Sequence, residues 1–282
     1  MALALNKNMV LAVLLALPLT AGAACSRTMI VPIFPLGKLM GVNDTDGLAS
    51  GIYPELLRKN AASSGCDFSF VAAPHARAEL MLSSGAADIL LGAIKDERRD
   101  QWGHFVPMLG TEWMLITNRR DAPPPTAQAL LERADIRLNV VRGYKYGAAY
   151  QNMLVELEKL GRVEYVKDPV TVVRKMLAGR ADYTFMSTTT FAGALDDLGL
   201  KQSYGPNIHY SHIRDLPVTV NGVYLSKRLP ASDRQQLIAL LGKIREHNEL
   251  MLGLRKFFAP NDLQSLRPLP AQTAAMATAA PH

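Results

Sequence analysis

One design occurs twice in this chain: a helix end, a glycine, Ala-Asp, an apolar strand and a polar exit. It runs as MLSSGAADILLGA from Met81 and as MLAGRADYTFMS from Met176. Glycine tolerates the left-handed exit that closes a helix. Ile89-Leu90-Leu91 is a continuous apolar run, the pattern of a strand covered on both faces. A covered strand fed by a helix, once in each half, restricts the chain to an α/β architecture with one sheet per half. Ligands of such sheets sit at the carboxyl ends of the strands. Two halves of this design, facing one another, enclose a cleft.

The remaining elements follow in order. Residues 28–34 read as a strand, and residues 35–50 as a loop rich in Gly, Asn and Asp. Loops of that length in compact domains tend to carry function. Gly51 to Leu57 opens a helix with Pro54 in its first turn, where a missing N–H costs little. Strand 68–70 leads into the first copy of the repeated design. Alternating strands and helices from Thr28 to Leu91 predict a parallel sheet. Residues 112–118 form the next strand, and RRDAPPPT (119–126) reads as the border between halves. The pattern then restarts: helix 127–133, strand 136–141, a glycine-bounded turn 143–147 opening a helix to Leu160, strand 163–166, helix 170–178 and strand 183–186. Residues 218–225 read as a strand returning across the border. Arg234 to Phe258 carries Leu237, Ile238, Leu241 and Ile244 at helical spacing and is expected to pack back on the first half. Residues 263–282, rich in Pro, Ala and Thr, are expected to be a disordered tail.

The first 24 residues read as a signal peptide. Lys7 precedes the apolar stretch Met9 to Leu19, which is too short for a stable membrane anchor. Small residues from Thr20 to Ala24 suit cleavage after Ala23 or Ala24. Export to the periplasm is therefore expected. The net charge of +6 is spread among Asp and Glu with no basic block, which argues against nucleic acid as a partner. Cys25 and Cys66 are the only cysteines. Each directly precedes an expected strand, so parallel pairing of those strands would let the sulfurs meet in a disulfide. The rival expectation is a lipid anchor on Cys25, although Gly22 stands where lipidated cysteines usually have a Leu-like residue.

Candidate binding chemistry gathers at the strand ends. Lys95, Arg98 and Arg99 follow strand 89–91 within a few residues, and fixed guanidinium groups suit capture of a carboxylate. A solvated turn is the alternative reading of that Arg pair. Phe34 ends the first strand, where its ring could cover a ligand or simply fill the core. The turn 143–147, with Tyr144, precedes a helix start whose free N–H groups attract anions. Catalytic chemistry finds little support. His209 and His212 are the one close histidine pair and lack a metal-site context. There is no G-x-S-x-G elbow. Asp44, Asp46, Asp96 and Glu97 lie in polar loops that suit capping or solvent exposure.

Taken together, GIYPELL (51–57), PHAR (74–77), GAAD (85–88), ERR (97–99), FVP (105–107) and GRAD (179–182) form an ordered series. The chain resembles the periplasmic solute-binding proteins of amino-acid-type ABC transporters, from the start of the mature chain to about Phe258. The resemblance implies a type II periplasmic binding protein-like fold of class α/β: two lobes joined by two hinge strands. Lobe 1 with the hinge strands would be 25–118 and 218–262, and lobe 2 would be 119–217, the crossings lying near 113–118 and 218–226. It implies a monomer that hands a small-molecule ligand to an inner-membrane permease, without a cofactor, a metal or catalysis. A dehydratase-like lyase or a sensory module on the same fold are the alternatives.

The family's carboxylate-binding Arg, counted back from Phe105, falls on Arg99, with Arg98 as runner-up. Its first-loop aromatic corresponds to Phe34. Two positions depart from the pattern. A ligand-bonding Thr is Asp96 here, and the Asp that takes the ligand's ammonium is Ser187. A buried ammonium without a counter-charge is costly. Either Asp96 supplies that charge, or the ligand is not a standard α-amino acid. Arg77 and Lys95 would suit additional acidic groups.

Overall fold

The computed structural model describes residues 24–43 and 45–269. The expected signal peptide, apart from Ala24, lies outside the described residues, as do Asp44 and residues 270–282. Among the described residues no helix is long and apolar enough to cross a membrane.

The chain begins with β1 (Met29–Ile33), followed by a loop holding the short antiparallel pair β2 (Gly41–Val42) and β3 (Ala49–Ser50). Then come α1 (Ile52–Ser64) and β4 (Phe68–Ala72). β1 and β4 are parallel, with Met29 opposite Phe68. That pairing brings Cys25 and Cys66 together in a disulfide, Cα–Cα 4.8 Å. The cystine leaves no thiol on Cys25 for a lipid.

Helix α2 (His75–Ser84) stops at Gly85, whose φ of 80° is the left-handed exit and whose N–H donates to Leu82 O. β5 (Ile89–Ile94) follows, then α3 (Glu97–Asp100) and β6 (Gly103–Thr111). The chain crosses at Glu112 and Trp113 into a second sheet. That sheet comprises β7 (Met114–Thr117), β8 (Leu138–Val141), β9 (Val163–Val166), β10 (Tyr183–Met186) and β11 (His209–Ser211), in the order β11-β7-β10-β8-β9. Its connecting helices are α4 (Ala127–Glu132), α5 (Ala148–Lys159), α6 (Pro169–Leu177), α7 (Thr188–Asp197) and α8 (Lys201–Tyr204). Residues 212–218 return the chain to β12 (Thr219–Ser226), which inserts between β5 and β6. Helices α9 (Ala231–Glu246) and α10 (Glu249–Leu254) and the strand β13 (Leu266–Arg267) complete the described chain.

Alternation along the strands explains why both faces of the second sheet are covered. Leu115, Val140 and Phe185 join one apolar cluster with Tyr150 and Leu154 of α5. Their neighbours Ile116, Val141 and Met186 join another with Val172 and Val173 of α6 and Phe191 of α7. On the first side, Val31, Leu90 and Val223 share a core with Leu57 of α1 and Leu237 and Leu241 of α9. The C-terminal helices thus pack on the first lobe.

The two Ala-Asp copies have the same structural task. Asp88 N donates to Ile30 O at 2.9 Å, and its carboxylate accepts from Ile30 N at 2.8 Å. Asp182 N donates to Arg137 O at 2.9 Å, and its carboxylate accepts from Arg137 N at 2.9 Å. Each aspartate therefore latches the start of its strand to the backbone beside it. Arg27 holds Asp88 through two 2.7 Å bonds, and Arg137 and Arg119 hold Asp182.

Several expectations need correction. Residues 113–118 do not cross as a strand, because β7 lies inside the second sheet between β10 and β11. The proline break 119–126 therefore follows β7 and is a loop of the second lobe. Residues 219–226 likewise belong to the first lobe's four-stranded sheet β13-β6-β12-β5 rather than to a crossing, and that sheet is separate from the β1–β4 pair, so the first lobe does not hold the single sheet expected of each half. The helix expected over 234–258 breaks between α9 and α10, where Asn248 adopts φ 52°. The tail expected from residue 263 begins too early: Leu266 and Arg267 pair with Thr111 and Gly110 of β6.

Candidate functional site

A cavity of about 400 Å³ opens between the two lobes. On the first-lobe side it is lined by the exit of β1 (Phe34, Leu36), by His75 at the start of α2, by the end of β5 (Ala93, Ile94) and by Arg99. On the second-lobe side lie residues 141–145 after β8, Lys167 after β9, and Ser187, Thr189 and Thr190 after β10. Thr111 and Trp113 from one crossing and Asn221 near the other complete the wall. Second-lobe β8, β9 and β10 all present their carboxyl ends, as the α/β rule requires.

Arg99 is 2 % exposed. Its Nη1 donates to Ile94 O at 3.0 Å, and its Nη2 pairs with Glu79 Oε1. Its Nε is buried without a hydrogen-bond partner. Glu79 also accepts from Arg98 Nη2 at 3.2 Å, so one carboxylate answers two guanidinium groups. His75 Nε2 is 3.9 Å from Glu79 Oε1, the oxygen that pairs with Arg99, and its ring meets Phe34 edge-on at 4.8 Å. Burial lowers the His75 pKa, Glu79 opposes that shift, and Arg99 adds to it. His75 therefore enters the site as a neutral ring at neutral pH.

The opposite wall is rich in donors. Ser187 caps α7, its Oγ accepting from Thr190 N at 3.2 Å and lying 3.1 Å from Thr189 Oγ1. Burial, with a smaller contribution from Asp168, pushes the Tyr144 phenol up to about 12, so it stays a hydroxyl donor. Arg142 reaches over the Tyr165 ring at 5.8 Å, and Lys167 Nζ stands 3.7 Å from Asp168. Thr219 Oγ1 ties the crossings together, donating to Tyr146 O at 2.8 Å and accepting from Trp113 Nε1 at 3.0 Å.

Of the residues singled out by sequence, Arg99, Phe34, Tyr144 and Ser187 line this cavity, and Arg98, Asp96, Arg77 and Lys95 do not. Asp96 is the cap of α3, its Oδ1 accepting from Arg98 N at 3.0 Å and Arg99 N at 3.2 Å. It thus supports the turn that presents Arg99 and supplies no charge to the cavity. Arg98 points to Glu79 with most of its side chain in solvent. Arg77 and Lys95 are exposed. His75, Trp113, Asn221, Arg142, Lys145 and Lys167 were not singled out. For Lys145 the signal was present, since it stands in the turn marked as an anion-attracting helix start. For Lys167 the only signal was a place just after a strand.

Among the described residues no group of three or more His, Cys, Asp or Glu could hold a metal.

No protein-family model matches the chain, and no curated protein matches it by sequence. Solved structures do match. A histidine kinase sensor domain with similarity to periplasmic binding proteins aligns at TM-score 0.61 and 20 % identity, over 83 % of this chain and 96 % of that one. An amino-acid ABC transporter substrate-binding protein from Streptococcus pneumoniae, bound to L-arginine, aligns at TM-score 0.62 and 15 % identity, over 81 % and 93 %. An ancestral cationic amino acid solute-binding protein aligns at TM-score 0.61 and 14 % identity, over 82 % and 95 %. At these identities the likeness is one of fold. The chain has the two-lobed α/β fold of type II periplasmic binding proteins.

Proposed function

We propose that this chain is an exported solute-binding protein. It captures a small carboxylate-bearing solute between its lobes and presents the closed form to an inner-membrane ABC permease. The observation that carries this reading is Arg99: a buried guanidinium on the cavity wall, with an Nε lacking any partner. Burying such a group is costly unless a ligand completes it. The Glu79, Arg98 and Arg99 cluster keeps a net charge of +1, which a carboxylate would neutralise. Closure would exclude water and strengthen that contact. The signal-peptide reading of residues 1–24 supplies the export step.

The test is a thermal-shift screen of organic acids and amino acids on the mature protein, followed by calorimetry. A ligand at 100 times its Kd is expected to add about 2.7 kcal/mol of stability. Arg99→Lys keeps the charge but loses the planar fork, and is expected to weaken binding at least tenfold. Equal affinity in that variant would remove Arg99 from the site. Turnover of the bound compound would favour the lyase reading instead. The fold shared with a sensor domain supports a second reading, in which a receptor replaces the permease. Uptake of labelled solute by cells with and without the protein separates the two.

A further inference from the structure

The cavity's charges define its ligand more narrowly than the fold does. Arg99 stands on the first-lobe wall, and Arg142, Lys145 and Lys167 stand on the second-lobe wall. Among the described residues lining the cavity, none is Asp or Glu. The nearby carboxylates are already engaged. Glu79 answers Arg98 and Arg99. Asp96 caps α3, and Asp168 caps α6 by accepting from Thr171 N at 2.7 Å. Ser187, the position where the resemblance would place an ammonium-binding aspartate, is a hydroxyl committed to Thr189 and Thr190.

An ammonium brought into this cavity would meet four cationic side chains, of which Arg99 and Lys167 have Glu79 and Asp168 beside them, and no carboxylate on the lining itself. A second acid group on the solute would meet the reverse. Its partner on the first lobe is the buried, unpartnered Nε of Arg99. On the second lobe, three cations and the hydroxyls of Tyr144, Thr189 and Thr190 face it. The two walls could therefore each hold one end of a doubly charged solute, drawing the lobes together. Such closure is driven only by contacts stronger in the closed form than in the open one.

We infer that the solute is a small organic dianion without an ammonium group, held by Arg99 at one end and by Arg142, Lys145 and Lys167 at the other. The inference rests on the proposed solute-binding reading of the same cavity. Carboxylate and phosphate ends share this chemistry, and the test separates them.

Calorimetry on the mature chain would compare 2-oxoglutarate and succinate with phosphoenolpyruvate, and both sets with L-glutamate, L-arginine and butyrate. 2-Oxoglutarate and L-glutamate share a carbon skeleton and differ in the ammonium, so a preference of at least tenfold for 2-oxoglutarate is expected. Tight binding of phosphoenolpyruvate, which carries a carboxylate and a phosphate, with none by the dicarboxylates would assign the second end to phosphate and uphold a solute with two acid ends and no ammonium. The double variant Lys145→Gln/Lys167→Gln changes two exposed side chains. It is expected to weaken the preferred dianion at least tenfold and the monoanion butyrate by a smaller factor; equal weakening of both would overturn the second-lobe assignment. L-Glutamate or L-arginine binding more tightly than every dianion would overturn the inference and leave the solute-binding reading standing. Binding by none of the panel would overturn both.

Discussion

At the scale of single residues, Asp88 and Asp182 explain why the same short sequence recurs. Each uses its backbone N–H and its carboxylate to clasp the backbone beside it. Asp88 is 2 % exposed, whereas half of the Arg27 side chain reaches solvent. Asp88→Ala would strand the half-buried Ile30 N–H and release an already solvated arginine. Leaving a buried donor unsatisfied costs about 1–3 kcal/mol. Urea unfolding should therefore show a loss in that range, and a midpoint unchanged from wild type would deny the latch. At Asp182, burial resists ionisation, but hydrogen bonds from Arg137 and Arg119 prevail and hold its pKa below the usual carboxylate range. A folded-state pKa below the unfolded value of about 3.9 contributes stability that is present above that pH. The contribution is lost as pH falls through the depressed folded value. Below pH 4, the stability of Asp182→Asn should fall less steeply with acidification than that of wild type. Asp121, held at about 2 by Arg119 and Arg133, remains in both proteins, and because it shares Arg119 with Asp182 the double variant Asp121→Asn/Asp182→Asn separates the two contributions. Residue roles were unevenly legible. Arg99 could be placed by counting from Phe105, but its partner Glu79 lies twenty positions earlier on another element, and sequence carries no sign of that contact. Asp96 was legible as a loop carboxylate suited to capping; the resemblance alone suggested a ligand contact there.

At the scale of elements, strands covered on both faces were the clearest signal, because a strand with one face in water would alternate apolar and polar residues instead of running apolar throughout. The partners of those strands were less clear. β7 looks like a strand in sequence whether it crosses between lobes or completes the second sheet, and hydrogen-bonding to β10 and β11 decides the matter. The break between α9 and α10 rests on one left-handed asparagine, a conformation asparagine tolerates better than other non-glycine residues. The parallel pairing of β1 with β4 was anticipated by the cysteines that precede both strands. Their disulfide closes a loop spanning 41 positions. On the chain-entropy estimate this closure stabilises the fold by up to about 4 kcal/mol. Thermal unfolding with and without reductant should show a matching drop in Tm, and Cys25→Ser/Cys66→Ser should reproduce it. Equal Tm values under both conditions would mean that the β1–β4 pairing needs no covalent closure.

At the scale of the whole molecule, the lobes are joined more firmly than two crossings suggest. After α10 the chain passes over the second lobe before β13 joins the first. Lys201 Nζ pairs with Asp262 at 2.8 Å, and Thr188 N donates to Ser265 Oγ at 3.0 Å. Glu112 N, at the first crossing, donates to Ser265 O at 2.8 Å, and Leu266 pairs with Thr111. Ser265 is fully buried, and Leu266 lines the cavity. This third tether was illegible in sequence because Ser265 and Leu266 stand at the edge of a Pro- and Ala-rich stretch, where composition suggests disorder. Burial of two residues is enough to order the segment, and composition averages over many. Ending the chain at Asp262 should therefore be damaging, although a compositional boundary at residue 263 would make it harmless. It strands the N–H groups of buried Thr188 and half-buried Glu112 and exposes the surface under Leu266. The combined loss is expected to be about 3 kcal/mol or more. A chain ending at residue 269 isolates this effect from any contribution of residues 270–282. Small-angle scattering on the same pair tests the mechanical consequence. The shorter chain should have the larger radius of gyration without ligand and a larger decrease on saturation, because the tether limits how far the empty cleft opens. Identical stability and scattering for the two chains would reduce the segment to a passive strand at the sheet edge.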